Sequence, residues 1–425
     1  MPFWRPLRDA PVSPYSLPDH AILASDDRRN NPGMGEHMAF VEQRRQRRPA
    51  TLLAAGALVA SLSGAGWIAA PSGEAIRVLA DIDAGPAPTE LKAMTPPPSR
   101  HTLTVDAASS RWQADLYEPR VPARASMLLV PGLSPSGKDD PRLVAFANTL
   151  GRAGFTVLVP QPPNHRTLRV SADNATLVSE AVDWFTSHSP DLPLGIFAVS
   201  FAVGPSILAL TRPATGNRVD FVVAAGGYYD INAAITFFTT GRYRDFSTGA
   251  MQWRAPDNRG KWAFVAGNLD RLAPPRDRTT LAAMAWRRAN DPGADLADLA
   301  ATLGPEGAIV FRLLNDPAPE HVPELLAALP ETARRDLMML DLSRLPLARL
   351  TSRFILIHGH DDPVVPASQS EALAAALPAD RVELFLLDRF NHIDPQAAGW
   401  RDRLRLVSVV EAVLAQRIGP THARP

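Results

Sequence analysis

Leu194-Gly-Ile-Phe-Ala-Val-Ser200-Phe-Ala-Val-Gly204 is the stretch on which the reading of this chain turns. Its first five residues are an apolar run of the length and kind that forms a strand buried on both faces of a sheet. A helix is predicted to start at Ser200 and run to Leu210. A serine at such a junction lies on a sharp turn, with its hydroxyl above the carboxyl edge of the sheet. The helix N-terminus brings unpaired N–H groups and a positive dipole end to the same place. The Phe201 N–H can then point at a developing oxyanion. This is the mechanics of a nucleophile elbow, whose usual pattern is Gly-x-Ser-x-Gly. Here Ala198 and Ala202 stand where the glycines would be. Those positions need small side chains because strand and helix pass closely, and alanine is the next smallest. Taken alone, the segment reads equally well as a helix-capping serine.

Outward from it, the flanking sequence alternates strand and helix. His101 to Val105 and Trp112 to Glu118 alternate apolar and polar residues, as half-buried antiparallel strands do. Ser126–Val130, Phe155–Val159 and Phe221–Ala225 are short apolar runs. Between them, 141–153 and 173–187 carry helical patterns. Such alternation predicts βαβ units and a mostly parallel α/β sheet with flanking helices. It stops over 229–350, which reads as mainly helical, with turn signals at Pro256, Pro274, Pro292 and Pro317. It resumes with Phe354–His358, a helix near 368–377, Val382–Leu387 and a last helix over 398–416. The expected organisation is a core in two parts, 101–228 and 351–417, with an inserted helical cap over 229–350.

Three further segments supply partners for Ser200. Asp362 lies in His358-Gly-His-Asp-Asp362-Pro-Val-Val-Pro366, just beyond an apolar strand. A carboxylate there can reach a histidine that activates the serine, although Asp-Asp-Pro is also ordinary turn chemistry. His392 follows the last expected strand, in a loop that can fold over the sheet. The chain order Ser200, Asp362, His392 is the order such triads take on this kind of sheet. Pro131-Gly132-Leu133 follows the first parallel strand, and the Leu133 N–H is the candidate second oxyanion donor. His358 and His360, two apart on a loop and without a partner cluster, do not predict a metal site.

Together these residues resemble the α/β-hydrolase superfamily, over roughly 101–228 and 351–417. Pro131 to Arg142 is similar to the first loop of bacterial hydrolases related to the dienelactone hydrolase and carboxylesterase group. His358-Gly-x-x-Asp362-Pro-x-Val-Pro366 is similar to the acid loop of the superfamily. The chain departs from the pattern at Pro131, where His is common, and in lacking the cysteine nucleophile of the dienelactone hydrolases proper. The resemblance implies an eight-stranded-type sheet and hydrolysis of carboxylic esters or thioesters through an acyl-enzyme. Ser200 would attack, His392 would carry the proton, Asp362 would orient the ring, and Phe201 and Leu133 would hold the oxyanion. The substrate is then a small ester-like molecule, and no cofactor or metal is implied. The alternative is an α/β-hydrolase fold without catalysis, serving as a binding or scaffolding protein. In the cap, Phe237, Phe238, Tyr243, Trp253, Trp262 and Trp286 are expected as its own core or as a pocket lining. Arg242, Arg244 and Arg254 are expected as surface arginines or as ligands of a substrate carboxylate.

Composition sets the outer bounds. The chain has 425 residues, 46% hydrophobic and 21% charged, with a formal net charge of +0, so nothing in its charge suggests nucleic acid. With no cysteine, disulfides, zinc–thiolate sites and a cysteine nucleophile are excluded. Residues 1–37 are rich in Pro, Asp and Arg without periodicity, the basic run Arg44-Arg45-Gln46-Arg47-Arg48 follows, and 1–50 is expected to be a disordered, basic segment. Thr51 to Ala70 then carries no charge. A basic run before an apolar stretch is the layout of a membrane anchor or a signal sequence. The expectation is an inner-membrane anchor over 51–70 with the catalytic part in the periplasm, or release there if the segment is cleaved. Pro71, Pro86, Pro88 and Pro96–Pro98 suggest that 71–100 is a stiff linker.

Overall fold

A computed structural model describes residues 72–107, 110–388 and 399–418. The first elements are helices α1 (Gly73–Ala84) and α2 (Glu90–Met94), which corrects the expectation of a linker over 71–100. The prolines flank these helices and do not interrupt them. Ser72 caps α1, its hydroxyl accepting from the Ala75 N–H at 3.2 Å. Ala75, Val78, Leu79 and Ile82 recur at helical spacing and form the buried or half-buried face.

Eight strands form one sheet: β1 (Ser99–Asp106), β2 (Arg111–Glu118), β3 (Ala125–Val130), β4 (Phe155–Pro160), β5 (Leu194–Val199), β6 (Phe221–Ala225), β9 (Arg353–Gly359) and β10 (Val382–Leu387). The intervening β7 (Arg242–Arg244) and β8 (Met251–Trp253) pair only with each other, as a small hairpin in the cap that the helical reading of 229–350 does not foresee. The strand order in the large sheet is β1-β2-β4-β3-β5-β6-β9-β10. Strand β2 runs antiparallel to β1 and β4, and all other pairs are parallel. β3, β5 and β6 lie at the centre, which is why their residues are continuously apolar.

Successive residues of the central strands point to opposite faces, and each face has its own core. Leu128, Val130, Ile196 and Ala198 pack on one side with α4 (Asn174–His188), α5 (Val203–Leu210) and α14 (Ser368–Ala376). Met127, Leu129 and Phe197 pack on the other with α1, α3 (Pro141–Arg152) and α15 (Trp400–Ala415). Each buried Leu or Phe in these layers contributes about 1.5–3 kcal/mol.

A short helix, α6 (Pro213–Gly216), follows α5. The cap runs through α7 (Ile231–Thr240), α8 (Asn258–Ala266), α9 (Pro275–Asn290), α10 (Ala297–Ala300), α11 (Pro305–Asn315), α12 (Val322–Ala327) and α13 (Glu331–Met339). Trp262, Val265, Leu281 and Met284 form a core of its own. Phe237 is also fully buried, whereas Trp253 and Trp286 are exposed and lie outside the cap core. Among the described residues no helix is long and apolar enough to cross a membrane, and 51–70 lies outside them.

Candidate active site

Ser200 stands at the first position after β5 with φ +55°, in the left-handed region that non-glycine residues rarely occupy. Such a conformation costs of order 1–3 kcal/mol and persists only where the surroundings dictate it. Two close approaches supply that constraint. A Cβ at Gly132 would lie 3.2 Å from the Val199 carbonyl oxygen and 3.3 Å from the Ser200 Cβ, so the loop after β3 sits directly against the turn. A Cβ at Gly204 would lie 1.8 Å from the Tyr228 hydroxyl. Close approaches that only glycine allows thus fall at 132 and 204, beside the turn. Ala198 and Ala202 are fully buried there, and their methyl groups belong to the core.

The Phe201 N–H lies in the first helical turn after the serine, where amide hydrogens have no partner within the helix. The Leu133 backbone belongs to the loop that abuts Ser200, and Leu133, Ser200 and Phe201 all line one cavity. His165 sits behind this loop. Its ring is fully buried, edge-on to Phe201 at 6.0 Å between centroids, and its backbone carbonyl accepts from the Ser134 N–H at 3.2 Å. Neither ring nitrogen makes a hydrogen bond among the described residues. Burial pulls its pKa down to about 4, against the opposing pull of the Pro131 and Gly132 carbonyls, so the ring is neutral at pH 7. Sequence reasoning passed over His165, which sits in a Pro-Pro-Asn-His stretch without periodicity.

Asp362 is fully buried beyond β9. Its Oδ1 accepts from the Val364 N–H at 2.7 Å and the Val365 N–H at 2.9 Å. His358 lies under it: Nε2 is 2.9 Å from the Val365 carbonyl and 3.3 Å from Asp362 Oδ2, and Nδ1 is 2.6 Å from the Ser370 hydroxyl. Since a carbonyl only accepts, Nε2 carries the proton. His358 is thus a structural clamp on the acid loop, while His360 points to solvent. The cap grips the same loop. Arg254 donates to the Asp362 carbonyl at 3.3 Å and lies over the Tyr243 ring, and the Asp257 N–H donates to the Pro363 carbonyl at 3.0 Å. Arg254 is therefore a cap-to-core tie, which corrects its reading as a surface or substrate-binding arginine. Arg244 bonds the Gly249 carbonyl within its own hairpin.

β5, β6 and β9 are consecutive in the sheet, so Ser200 and Asp362 leave the same carboxyl edge two strand spacings apart, each about 4.8 Å. β10 adjoins β9, and the segment expected to carry His392 leaves its end. His392 lies outside the described residues. The ends of that segment are fastened to each other: the Asp388 N–H donates to Asp402 Oδ1 at 2.8 Å, and Arg405 reaches the Leu386 carbonyl at 3.1 Å.

Ser200 opens into a cavity of about 800 Å3, whose walls are mostly apolar. On the cap side it is lined by Phe238, Phe264, Val310 and Leu337, among others. Phe238 is the one aromatic of the expected cap set that faces it.

A sheet of this order with a strained serine after its central strand and a buried carboxylate two strands away is the α/β-hydrolase fold. No protein-family model matches the sequence, and no curated protein is found as a relative. Among solved structures, the acylaminoacyl peptidase of Pyrococcus horikoshii is 11% identical with a TM-score of 0.46, the match covering 78% of this chain and 44% of that one. This chain thus spans less than half the length of the peptidase. A serine hydrolase from the polyaromatic hydrocarbon-degrading bacterium Cycloclasticus zankles is 14% identical, with a TM-score of 0.42 and coverage of 74% and 98%. A dienelactone hydrolase from Anabaena variabilis is 18% identical, with a TM-score of 0.37 and coverage of 75% and 96%. The fold assignment rests on strand order and on the turn at Ser200, independently of these likenesses.

Proposed function

We propose that the protein is a serine hydrolase that cleaves carboxylic esters, or thioesters, through an acyl-enzyme on Ser200. The observation that carries this is the left-handed backbone of Ser200, wedged between the Gly132 loop and the helix after it and opening into an apolar cavity. A helix-capping serine has no need of such strain. In this reading His392 removes the Ser200 proton as the oxygen attacks the carbonyl, and returns it to the leaving alcohol or thiol. Asp362, fixed by two amides and by His358, orients the imidazole and stabilises its cation. The N–H groups of Leu133 and Phe201 bind the oxyanion. Water then attacks the acyl carbonyl as His392 takes its proton, the bond to Ser200 breaks as His392 returns the proton to the serine oxygen, and the acid is released.

We further propose that residues 51–70 anchor the chain in the inner membrane with the catalytic part in the periplasm. Protease treatment of spheroplasts should digest the catalytic part while intact cells protect it; resistance in spheroplasts would refute this orientation.

A fluorophosphonate probe tests the chemistry. The adduct is expected on Ser200 and is expected to vanish in His392→Ala. Folded protein that reacts neither with the probe nor with p-nitrophenyl acetate overturns the hydrolase reading and leaves a non-catalytic binding protein.

A further inference from the structure

The cavity at Ser200 does not end beneath the cap. Its walls continue to the other face of the sheet, where Phe197, Val199, Ala225 and Ile357 form the floor. Leu143, Phe146 and Leu150 of α3 line one side, and Leu406, Val410 and Leu414 of α15 the other. Val78, Leu79 and Ile82 of α1 close it from outside. Helices packed on a sheet normally interdigitate with its side chains and leave no void larger than a water molecule. Here α1 spans α3 and α15 as a third layer, and a slot remains beneath it. The lining of that void is mostly apolar, with Asp83, Asp140 and Arg142 at its edge; an apolar void forfeits the contacts its lining would make, so it is a binding space for apolar matter. α1 is also fastened in place. Its Glu74 forms a paired salt bridge with Arg417 at 2.6 and 2.7 Å, and the Ser72 N–H donates to Glu411 at 2.6 Å.

An ester has two arms, one on each side of the carbonyl. Ser200 lies where two apolar spaces meet, one under the cap and one under α1. We infer that the substrate is an ester or thioester carrying a long apolar chain, which lies in the slot between α3 and α15 beneath α1. This rests on the hydrolase reading above and names its substrate class. A mostly apolar space between helices and sheet suits a flexible hydrocarbon chain, whereas a polar group would lose its hydration there without gaining hydrogen bonds. The cap space takes the other arm.

The test compares the full-length protein with Ile82→Trp and Val410→Trp, each of which fills the slot without touching Ser200 or the groups assigned to catalysis. The substrates are p-nitrophenyl acetate, p-nitrophenyl dodecanoate and dodecyl acetate, the last two placing the chain on opposite sides of the carbonyl. Wild type should prefer one of the long esters to the acetate by at least about tenfold in kcat/KM. Both variants should lose about tenfold or more on that ester and keep p-nitrophenyl acetate hydrolysis within about twofold. Ile82 lies on the outermost helix, so Ile82→Trp keeps the experiment decisive if Val410→Trp fails to fold. Variants that hydrolyse the acetate normally and the long ester undiminished overturn the inference. A second readout separates it from the hydrolase reading. Ser200→Ala protein is titrated with a fluorescent long-chain fatty acid. Binding that Ile82→Trp weakens about tenfold upholds the slot even if no ester is cleaved; no binding to Ser200→Ala overturns it.

Discussion

The two described members of the proposed triad are held in opposite ways. Asp362 is held by polar contacts: two backbone amides, a protonated imidazole nitrogen and a cap arginine on its carbonyl all converge on one short loop. Ser200 is held by packing, with backbone strain enforced by a loop at Gly132 and by a tyrosine ring at Gly204. A carboxylate in a buried site needs donors, because desolvation without them is costly. A nucleophile needs a defined direction of attack, and crowding of its backbone sets that direction. Changes at the two sites should therefore differ in kind.

The largest expected effect is on chemistry at the packed site. Ser200→Ala should lower ester hydrolysis by about 10^5–10^6-fold with little change in thermal stability, and a residual rate within tenfold of wild type would sink the assignment. Asp362→Asn should cost about 10^4-fold in kcat, since an amide presents the wrong partner to the imidazole, while substrate KM stays nearly constant. A matched loss in KM would point instead to collapse of the acid loop. Gly204→Ala should destabilise the fold by about 1–3 kcal/mol, because the added methyl runs into Tyr228, and denaturant unfolding measures it. An unchanged midpoint would mean that packing does not define the elbow.

The last effect is confined to acid pH and concerns His165. Its folded pKa, about 4, lies below the ordinary value of 6.5, so the unfolded chain takes up the proton first. The stability this group contributes is complete above pH 6.5 and is lost as pH falls towards 4, by up to about 3 kcal/mol. His165→Asn should flatten that part of the stability profile relative to wild type; parallel profiles would show that the ring titrates normally.

The sheet was legible in the sequence because its central strands are short and continuously apolar, which leaves little ambiguity between Pro and Gly boundaries. The elbow was legible in position, yet its reason was not: Gly132 and Gly204 matter through contacts with Ser200 and Tyr228 that no local pattern records. α1 was misread because six prolines over 71–98 outweighed the amphipathic spacing of Ala75, Val78, Leu79 and Ile82. The cap arginines were read by their charge, while Arg254 acts through a carbonyl 108 residues away in sequence. His358 was given no role by the sequence, and its neighbours make it a brace on the acid loop.

The salt bridge between Glu74 and Arg417 joins residues 343 apart in sequence. The wall of the slot is thus assembled from the earliest and the latest of the described helices to be synthesised. A ribosome-bound chain can complete the sheet's central strands and the turn at Ser200 long before α15 has emerged. The turn that carries the nucleophile can consequently form before α15 packs against α1 and seals the slot.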